Sequence, residues 1–169
     1  MAGPFWIPTD TPGRLAILAR PRGGDWLPDE VAAWKRAGIQ IVASMLTAGE
    51  EFGLELSEEG GECGRAGLTY LAYEVEDRGY PPDDFAFAEI SSMLAAELEK
   101  GRTVGIHCRQ GIGRSGLLAI GVLYALGIPK DAAIRRVSAA RGLAVPETPE
   151  QLDWITRFEP SAAAALEPV

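Results

Sequence analysis

Side chains that bind metals through nitrogen or sulfur are scarce in this sequence. His107 is the only histidine, and Cys63 and Cys108 are the only cysteines. A zinc site needs three or four histidine, cysteine or carboxylate ligands at a recognisable spacing. We therefore expect no metal centre, and nothing in the sequence implies another cofactor. Two cysteines are also too few for a disulfide scaffold and suit a reducing cytoplasm.

Positive charge is in deficit, with 16 Lys and Arg residues against 24 Asp and Glu residues, a net charge of −8. A nucleic-acid or anionic-membrane surface needs a basic face, so we expect neither partner. The longest apolar run, residues 117–128, is too short and too interrupted by glycine to span a bilayer. Residues 1–6 lack the basic and apolar regions of a signal peptide, which favours a cytoplasmic protein. The oligomeric state stays open.

Length and composition predict one domain with a substantial core. The chain has 169 residues, of which 47% are hydrophobic and 24% charged, values that are ordinary for a globular protein. We expect this domain to cover residues 1–158. Residues 159–169 include four consecutive alanines and are predicted to form a flexible tail.

Strand-like and helix-like segments alternate along the chain. Strands are predicted at 5–7, 15–19, 39–45, 68–75 and 103–106, and helices at 29–37, 47–56, 83–100, 114–126, 130–141 and 149–158. The polar, glycine-rich stretch 57–67 is predicted to be a surface loop, with Cys63 exposed. This alternation predicts a single α/β domain with a central, mainly parallel sheet of four to five strands flanked by helices.

The most informative segment reads His-Cys-Arg-Gln-Gly-Ile-Gly-Arg-Ser-Gly, residues 107–116. A strand precedes it and a long helix follows, so backbone N–H groups and the positive end of a helix dipole should converge on one anion site. A cysteine at the start of this anion loop (residues 107–114) should have a stabilised thiolate. Arg114 adds a planar fork suited to a phosphate group. A nucleophile and a phosphate receptor therefore share one loop, which indicates phosphoryl transfer to sulfur.

A His-Cys pair followed by five residues and Arg-Ser resembles the signature of the protein tyrosine phosphatase superfamily. The resemblance is to the small dual-specificity type and extends over roughly residues 15–158. It implies a metal-independent hydrolase that acts on phosphotyrosine and on phosphoserine or phosphothreonine in a phosphorylated protein, through a phosphocysteine. Rhodanese-type sulfurtransferases and thiol-based arsenate reductases also hold a cysteine in an anion loop, but with a different glycine pattern.

The resemblance assigns a role to each loop residue. Cys108 is the nucleophile, and Ser115 donates a hydrogen bond to its sulfur. The phosphate is held by the remaining loop residues, Arg109, Gln110, Gly111, Ile112, Gly113 and Arg114. His107 follows a strand beside Cys108, so the two side chains should point to opposite faces and His107 is badly placed as a general base. The resemblance implies that His107 supports the loop backbone instead.

Phosphoester cleavage also needs a group that protonates the leaving oxygen. The segment 73–82 follows a strand and resembles the aspartate-bearing loop of the dual-specificity phosphatases, with Asp77 at the position of the acid. Glu74 and Glu76 are rival candidates, and Glu76 stands where the family commonly has proline. Exposed carboxylates are more often solvated surface groups than acids.

Gln151 has two interpretations. The resemblance suggests that it orients the water that hydrolyses the phosphocysteine. Residues 148–151, Thr-Pro-Glu-Gln, also form a capping box that accounts for the glutamine by itself, and we favour this structural role.

Two other functions stay open at this point. One is a non-catalytic phosphoprotein-binding module on the same fold, and the other is a phosphatase for phosphoinositides or inositol phosphates. A further hypothesis is a disulfide between Cys63 and an oxidised Cys108, which requires Cα atoms within ~7 Å of each other.

Overall fold

The structure is a computed structural model that describes residues 3–160, so the predicted tail lies almost wholly outside the described residues. The strands are β1 (Phe5–Ile7), β2 (Leu15–Ile17), β3 (Ile41–Ser44), β4 (Thr69–Ala72) and β5 (Val104–His107). The helices are α1 (Leu27–Arg36), α2 (Ala48–Gly53), α3 (Glu59–Arg65), α4 (Asp84–Glu99), α5 (Arg114–Ala125), α6 (Lys130–Arg141) and α7 (Pro149–Arg157).

The five strands form one sheet in the order β1-β2-β5-β3-β4. Strand β1 pairs with β2 in antiparallel orientation, and the other neighbours are parallel. This confirms the predicted α/β fold with a mainly parallel sheet. Strand β5 lies at the centre, flanked by β2 and β3, so the segment that follows β5 emerges at the middle of the carboxyl edge, where such folds bind ligands.

Strand residues alternate between the two faces of the sheet. Ile17, Ala43 and Ile106 pack into a large core with helices α4 to α7, whereas Ala16 and Val42 pack into a second core with α1 and α3. Burial on both faces explains why β2, β3 and β5 are almost entirely apolar, whereas the edge strand β4 is partly exposed. Strand β5 is therefore packed between the two cores, one on each face of the sheet.

The predicted surface loop at 57–67 is wrong. Residues 59–65 form helix α3, and its Glu59 and Cys63 are both fully buried. Glycine lowers helix propensity by about 1 kcal/mol relative to alanine, and this stretch contains four glycines at 60, 61, 64 and 67. Tertiary burial of one helix face overrides that local preference. Among residues 3–160, no helix combines the length and the apolar character that crossing a membrane requires.

Candidate active site

Cys108 is the first residue after β5. It is 3% exposed and packs into the core on the α5 side of the sheet. His107, the last residue of β5, is fully buried and stacks on Trp34 of α1, on the opposite face. The two adjacent side chains therefore point away from each other, and the imidazole does not reach the sulfur.

Two glycines give the anion loop its tight path. Gly111 has φ +71°, in the left-handed region that favours glycine. A Cβ on Gly113 would lie 2.8 Å from the amide nitrogen of Gln151, so any other residue here would displace this buried amide. Arg141 of α6 supports the loop from outside by donating from Nε to the Gly111 carbonyl at 2.6 Å.

The Cys108 sulfur lies among hydrogen-bond donors. The backbone N–H of Gly111 donates to Sγ at 3.3 Å, and the Ser115 hydroxyl oxygen lies 3.2 Å from Sγ. Helix α5 begins at Arg114, so its N-terminus faces the same space. These contacts and the positive end of the helix dipole favour a negatively charged sulfur. The arrangement fits a catalytic phosphate-binding loop.

Arg114 is 2% exposed and held in a buried ion pair. Its two terminal nitrogens bind the two Glu50 oxygens at 2.6 and 2.9 Å, and Nη1 also donates to the Val75 carbonyl at 2.7 Å. Burial alone would raise the pKa of Glu50, but hydrogen bonds and attraction from Arg114, with help from Thr47, outweigh it and lower that pKa. Within residues 3–160, the Arg114 Nε has no hydrogen-bond partner, which leaves it available to an oxyanion.

The structure separates the three candidate acids. Asp77 Oδ1 lies 3.2 Å from Arg114 Nη2, with half of the Asp77 side chain exposed. Glu74 instead accepts a hydrogen bond from the backbone N–H of Ala48 at 2.6 Å, at the start of α2. Glu76 is exposed, and no ion pair involving it occurs among the described residues. Only Asp77 of the three reaches the anion-loop arginine.

Gln151 links the start of helix α7 to a neighbouring loop. It is fully buried and forms the predicted capping box with Thr148. Its side-chain amide also donates to the Gly79 carbonyl at 2.8 Å, in the acid loop (residues 76–80). The same loop is attached to the segment before α7 by an ion pair of 3.0 Å between Arg78 and Glu147. Gln151 therefore has a structural role that exceeds helix capping, since it links the acid loop to α7.

The other predicted loop residues lie toward the surface. Arg109 and Gln110 are exposed, and Ile112 is half-buried against the core. The Arg109 guanidinium lies 4.0 Å from Glu50. Cys63, predicted to be exposed, is fully buried, and burial next to Glu59 and Glu62 raises its pKa to about 12. It packs on the face of the sheet opposite to Cys108, so the disulfide hypothesis gains no support.

Sequence reasoning missed two carboxylates, Glu50 and Glu59. Glu50 is the third residue of helix α2 and completes a capping box with Thr47. The motif Thr-Ala-Gly-Glu could have revealed this helix start, although not the contact with Arg114. Glu59 lies 2.5 Å from His107 Nε2, and its glycine-rich surroundings gave no signal. Among residues 3–160, no cluster of three or more potential ligands could hold a metal ion.

Known proteins match parts of this chain in sequence. No protein-family model matches the chain. The chain is 36% identical over 80 residues to a tyrosine-protein phosphatase of Autographa californica nuclear polyhedrosis virus, covering 46% of this chain and 48% of the viral protein. It is 31% identical over 134 residues to cyclin-dependent kinase inhibitor 3 of Rattus norvegicus, covering 78% and 63%. The chain thus spans less than two thirds of the length of these relatives.

Solved structures share the whole fold. Kinase-associated phosphatase, crystallised with its catalytic-site cysteine replaced by serine, superposes with a TM-score of 0.87 at 23% identity, over 98% of this chain and 97% of that one. The active form of Tk-PTP gives 0.72 at 27% identity, over 94% and 98%. PTPMT1 in complex with PI(5)P gives 0.71 at 19% identity, over 95% and 97%.

In this structure the central parallel strand β5 leads into a loop that starts at Cys108 and ends at Arg114. The resemblance to the protein tyrosine phosphatase superfamily, of dual-specificity type, is confirmed by sequence and by fold.

Proposed function

We propose that this protein is a cysteine-dependent phosphoprotein phosphatase that hydrolyses phosphotyrosine, and also phosphoserine and phosphothreonine, through a phosphocysteine intermediate. The observation that supports this most is the placement of the Cys108 sulfur. It lies 3.3 Å from the Gly111 N–H and 3.2 Å from the Ser115 hydroxyl, in the loop that ends at the buried Arg114. A thiolate at this position lies beside the loop N–H groups and Arg114, which we propose bind the phosphate.

In the first step, the Cys108 thiolate attacks phosphorus and the bond to the leaving oxygen breaks. Arg114 and the loop amides hold the non-bridging phosphate oxygens as charge shifts during the transfer. Glu50 fixes the guanidinium by its terminal nitrogens, so the fork is already oriented before substrate arrives. The side of the guanidinium that carries Nε faces the incoming phosphate.

The position of Asp77 explains how an acid could engage only when substrate is bound. Without substrate, Asp77 pairs with Arg114 Nη2 at 3.2 Å. A phosphate that binds Nε and Nη2 takes over this contact and releases the carboxyl group toward the leaving oxygen. Asp77 takes up a proton from solvent once this ion pair is broken and donates it there, so that the alcohol or phenol departs in neutral form.

In the second step, water attacks the phosphorus of the phosphocysteine and the sulfur–phosphorus bond breaks. The Asp77 carboxylate takes the proton of this water, inorganic phosphate leaves, and Ser115 donates a hydrogen bond to the departing thiolate. Gln151 holds the acid loop through Gly79 during both steps, which is a positioning role. Its amide oxygen accepts from the backbone N–H groups of Glu147 and Thr148, and its nitrogen donates to the Gly79 carbonyl, so we assign Gln151 this positioning role and no role in activating water.

A phosphorylated protein is the substrate class that the rim of the site favours. Arg109 is the exposed cation of the loop, and its guanidinium lies 4.0 Å from Glu50. The neighbouring acid loop contributes Glu76 and Asp77, which would repel a lipid headgroup carrying several phosphates. The relatives named for kinases support a protein substrate, and a cytoplasmic location remains our prediction. PTPMT1 with PI(5)P represents the competing lipid substrate.

A substrate panel tests this proposal. Purified protein and its Cys108→Ser variant are assayed with p-nitrophenyl phosphate, with phosphopeptides that differ only in the phosphorylated residue, and with phosphoinositide vesicles. We expect turnover of the aryl phosphate and of all three phosphopeptides by the wild type alone. Faster release from phosphoinositides than from every peptide would contradict the protein substrate. A preference for phosphotyrosine beyond ~10⁴-fold in kcat/KM, more than one or two pocket contacts supply, would contradict dual specificity.

A further inference from the structure

Behind the anion loop lies a buried pair of ionisable side chains that the proposed mechanism does not use. Glu59 Oε1 lies 2.5 Å from His107 Nε2, and both side chains are fully buried. The imidazole stacks on Trp34 with ring centroids 5.8 Å apart. Within residues 3–160, no lysine or arginine lies in ion-pair distance of Glu59, and the His107 ring forms an ion pair with it only when protonated. Burying a carboxylate without a charged or hydrogen-bonded partner costs free energy, so the contact with His107 stabilises the buried Glu59 side chain.

Hydrogen-bond chemistry fixes how many protons the pair holds. The other ring nitrogen, Nδ1, lies 3.4 Å from the Cys108 carbonyl oxygen, which only accepts hydrogen bonds. Nδ1 must therefore carry a proton. A second proton must lie between Nε2 and the Glu59 carboxylate, because two bare lone pairs at 2.5 Å would repel. The pair thus holds two protons, as either an imidazolium facing a carboxylate or a neutral imidazole accepting from a carboxylic acid.

The other titratable groups around the pair do not supply this charge. Burial first, and then Glu59, raises the pKa of Tyr70 on β4. The pKa of Cys63 on α3 is raised to about 12, so both groups are uncharged at neutral pH. The pKa of Glu51 on α2 is also raised, mainly by burial, and its carboxyl group accepts a hydrogen bond from Tyr70 at 3.1 Å. Toward the anion loop, the imidazole Nδ1 lies 3.4 Å from the backbone carbonyl oxygen of Cys108.

We propose that Glu59 is a positioning residue for the nucleophile. Its carboxylate keeps His107 as an imidazolium, which presents a charged Nδ1–H to the Cys108 carbonyl and thereby stabilises the neighbouring thiolate. This inference rests on the proposed function, since it assigns Glu59 to the same reaction. It also explains why a charged group is buried in α3, a helix with poor intrinsic propensity. The imidazolium acts through the backbone of Cys108, without contact with substrate.

The single histidine makes a direct test practical. In untagged, ¹⁵N-labelled protein, both imidazole nitrogens belong to His107, and their chemical shifts report protonation. In a buffer free of oxyanions at pH 7, we expect both nitrogens to be protonated in the wild type. In Glu59→Gln, which keeps the size but removes the charge, we expect a neutral ring. A neutral ring in the folded wild type would overturn the proposal without any variant.

Kinetics supply the functional readout. In Glu59→Gln, the rising limb of the kcat/KM profile against pH should move to higher pH by about one unit, the order of shift that a nearby buried charge produces. His107→Gln should cause a similar shift, and the double variant should add little, since the two residues act as one unit. A merely structural role would lower activity at every pH and leave the midpoint in place.

A matched control exists in helix α1. Glu30 is 1% exposed and pairs with Arg22 at 2.6 Å, so Glu30→Gln also neutralises a buried carboxylate but leaves His107 untouched. We expect it to keep the wild-type midpoint. An equal shift in Glu30→Gln, or none in Glu59→Gln, would overturn the proposal. Absence of turnover in the wild type would instead overturn the proposed function, and the two failures are distinguishable.

Discussion

Glu50 and Arg114 offer a sharp test of how the site is held together. The carboxylate is 12% exposed and the guanidinium 2% exposed, and two bonds of 2.6 and 2.9 Å join them. Removing one partner of a buried pair costs about 3–5 kcal/mol, because the other charge is left uncompensated. In Glu50→Ala, Arg114 still donates hydrogen bonds to the Val75 and Met45 carbonyls. We therefore expect this variant to lose about 3 kcal/mol of stability, the lower end of that range.

Glu50→Gln should cost less, about 1–2 kcal/mol, because the amide oxygen still accepts a hydrogen bond. The effect should depend on pH in a definite direction. The pKa of Glu50 is lowered in the folded state, so the stabilisation is present above the unfolded pKa of about 4.3. It is lost as the pH falls through the folded value. The stability difference between wild type and Glu50→Gln should therefore be full at pH 7 and shrink below about pH 4.

Urea denaturation followed by tryptophan fluorescence measures these free energies of unfolding. Glu62→Gln is the control, because its pair with Arg65 has the same 2.6 Å distance but lies at the surface. Exposed pairs contribute about 0–1 kcal/mol. In activity assays, Glu50→Gln should reduce kcat/KM while Glu62→Gln should not. If Glu50→Ala lost no more stability than the surface variant, the buried pair would not organise Arg114 and the reasoning would fail.

Three further predictions concern the acid, the thiols and the acid loop. Asp77→Asn should lower kcat by about 10²-fold or more for poor leaving groups and less for activated aryl esters. Equal losses for both kinds of ester would contradict the assignment of Asp77 as the acid and make Glu76 the candidate. At neutral pH, iodoacetamide should modify Cys108, with protection by inorganic phosphate, and leave Cys63 untouched because its pKa of about 12 keeps it protonated; mass spectrometry showing Cys63 labelled first would contradict this. Gln151→Ala should free the acid loop and reduce kcat most for poor leaving groups, and a purely thermal destabilisation would show that capping is its whole role.

The fold was largely predictable because its signals are local. Apolar runs and turn residues located the five strands and six of the seven helices to within a few residues. The anion loop was equally visible, since Cys108, the glycines and Arg114 are adjacent in the chain and need only a strand before them and a helix after them. The segment that follows β4 predicts Asp77 as the acid, and the structure brings its carboxylate to 3.2 Å from Arg114; its catalytic role stays a prediction.

The remaining parts depend on contacts between distant residues. Helix α3 forms because the fold buries Glu59 and Cys63, although its glycines disfavour a helix. The Glu50–Arg114 pair joins residues 64 positions apart, and the Glu59–His107 pair joins residues 48 positions apart. Spacing within a segment carries no information on such pairs. The sequence therefore predicts the groups that we propose to react, while the structure shows which residues contact them.

The central claim is that Cys108 forms a covalent phosphocysteine. Wild-type protein is mixed with a ³²P-labelled aryl phosphate, quenched with acid within milliseconds and digested for mass spectrometry. The account predicts one phosphoryl group, on Cys108, in the wild type. In Cys108→Ser it predicts no turnover but intact binding of inorganic phosphate, because the loop and Arg114 remain. Label on another residue, or substantial turnover by Cys108→Ser, would contradict it.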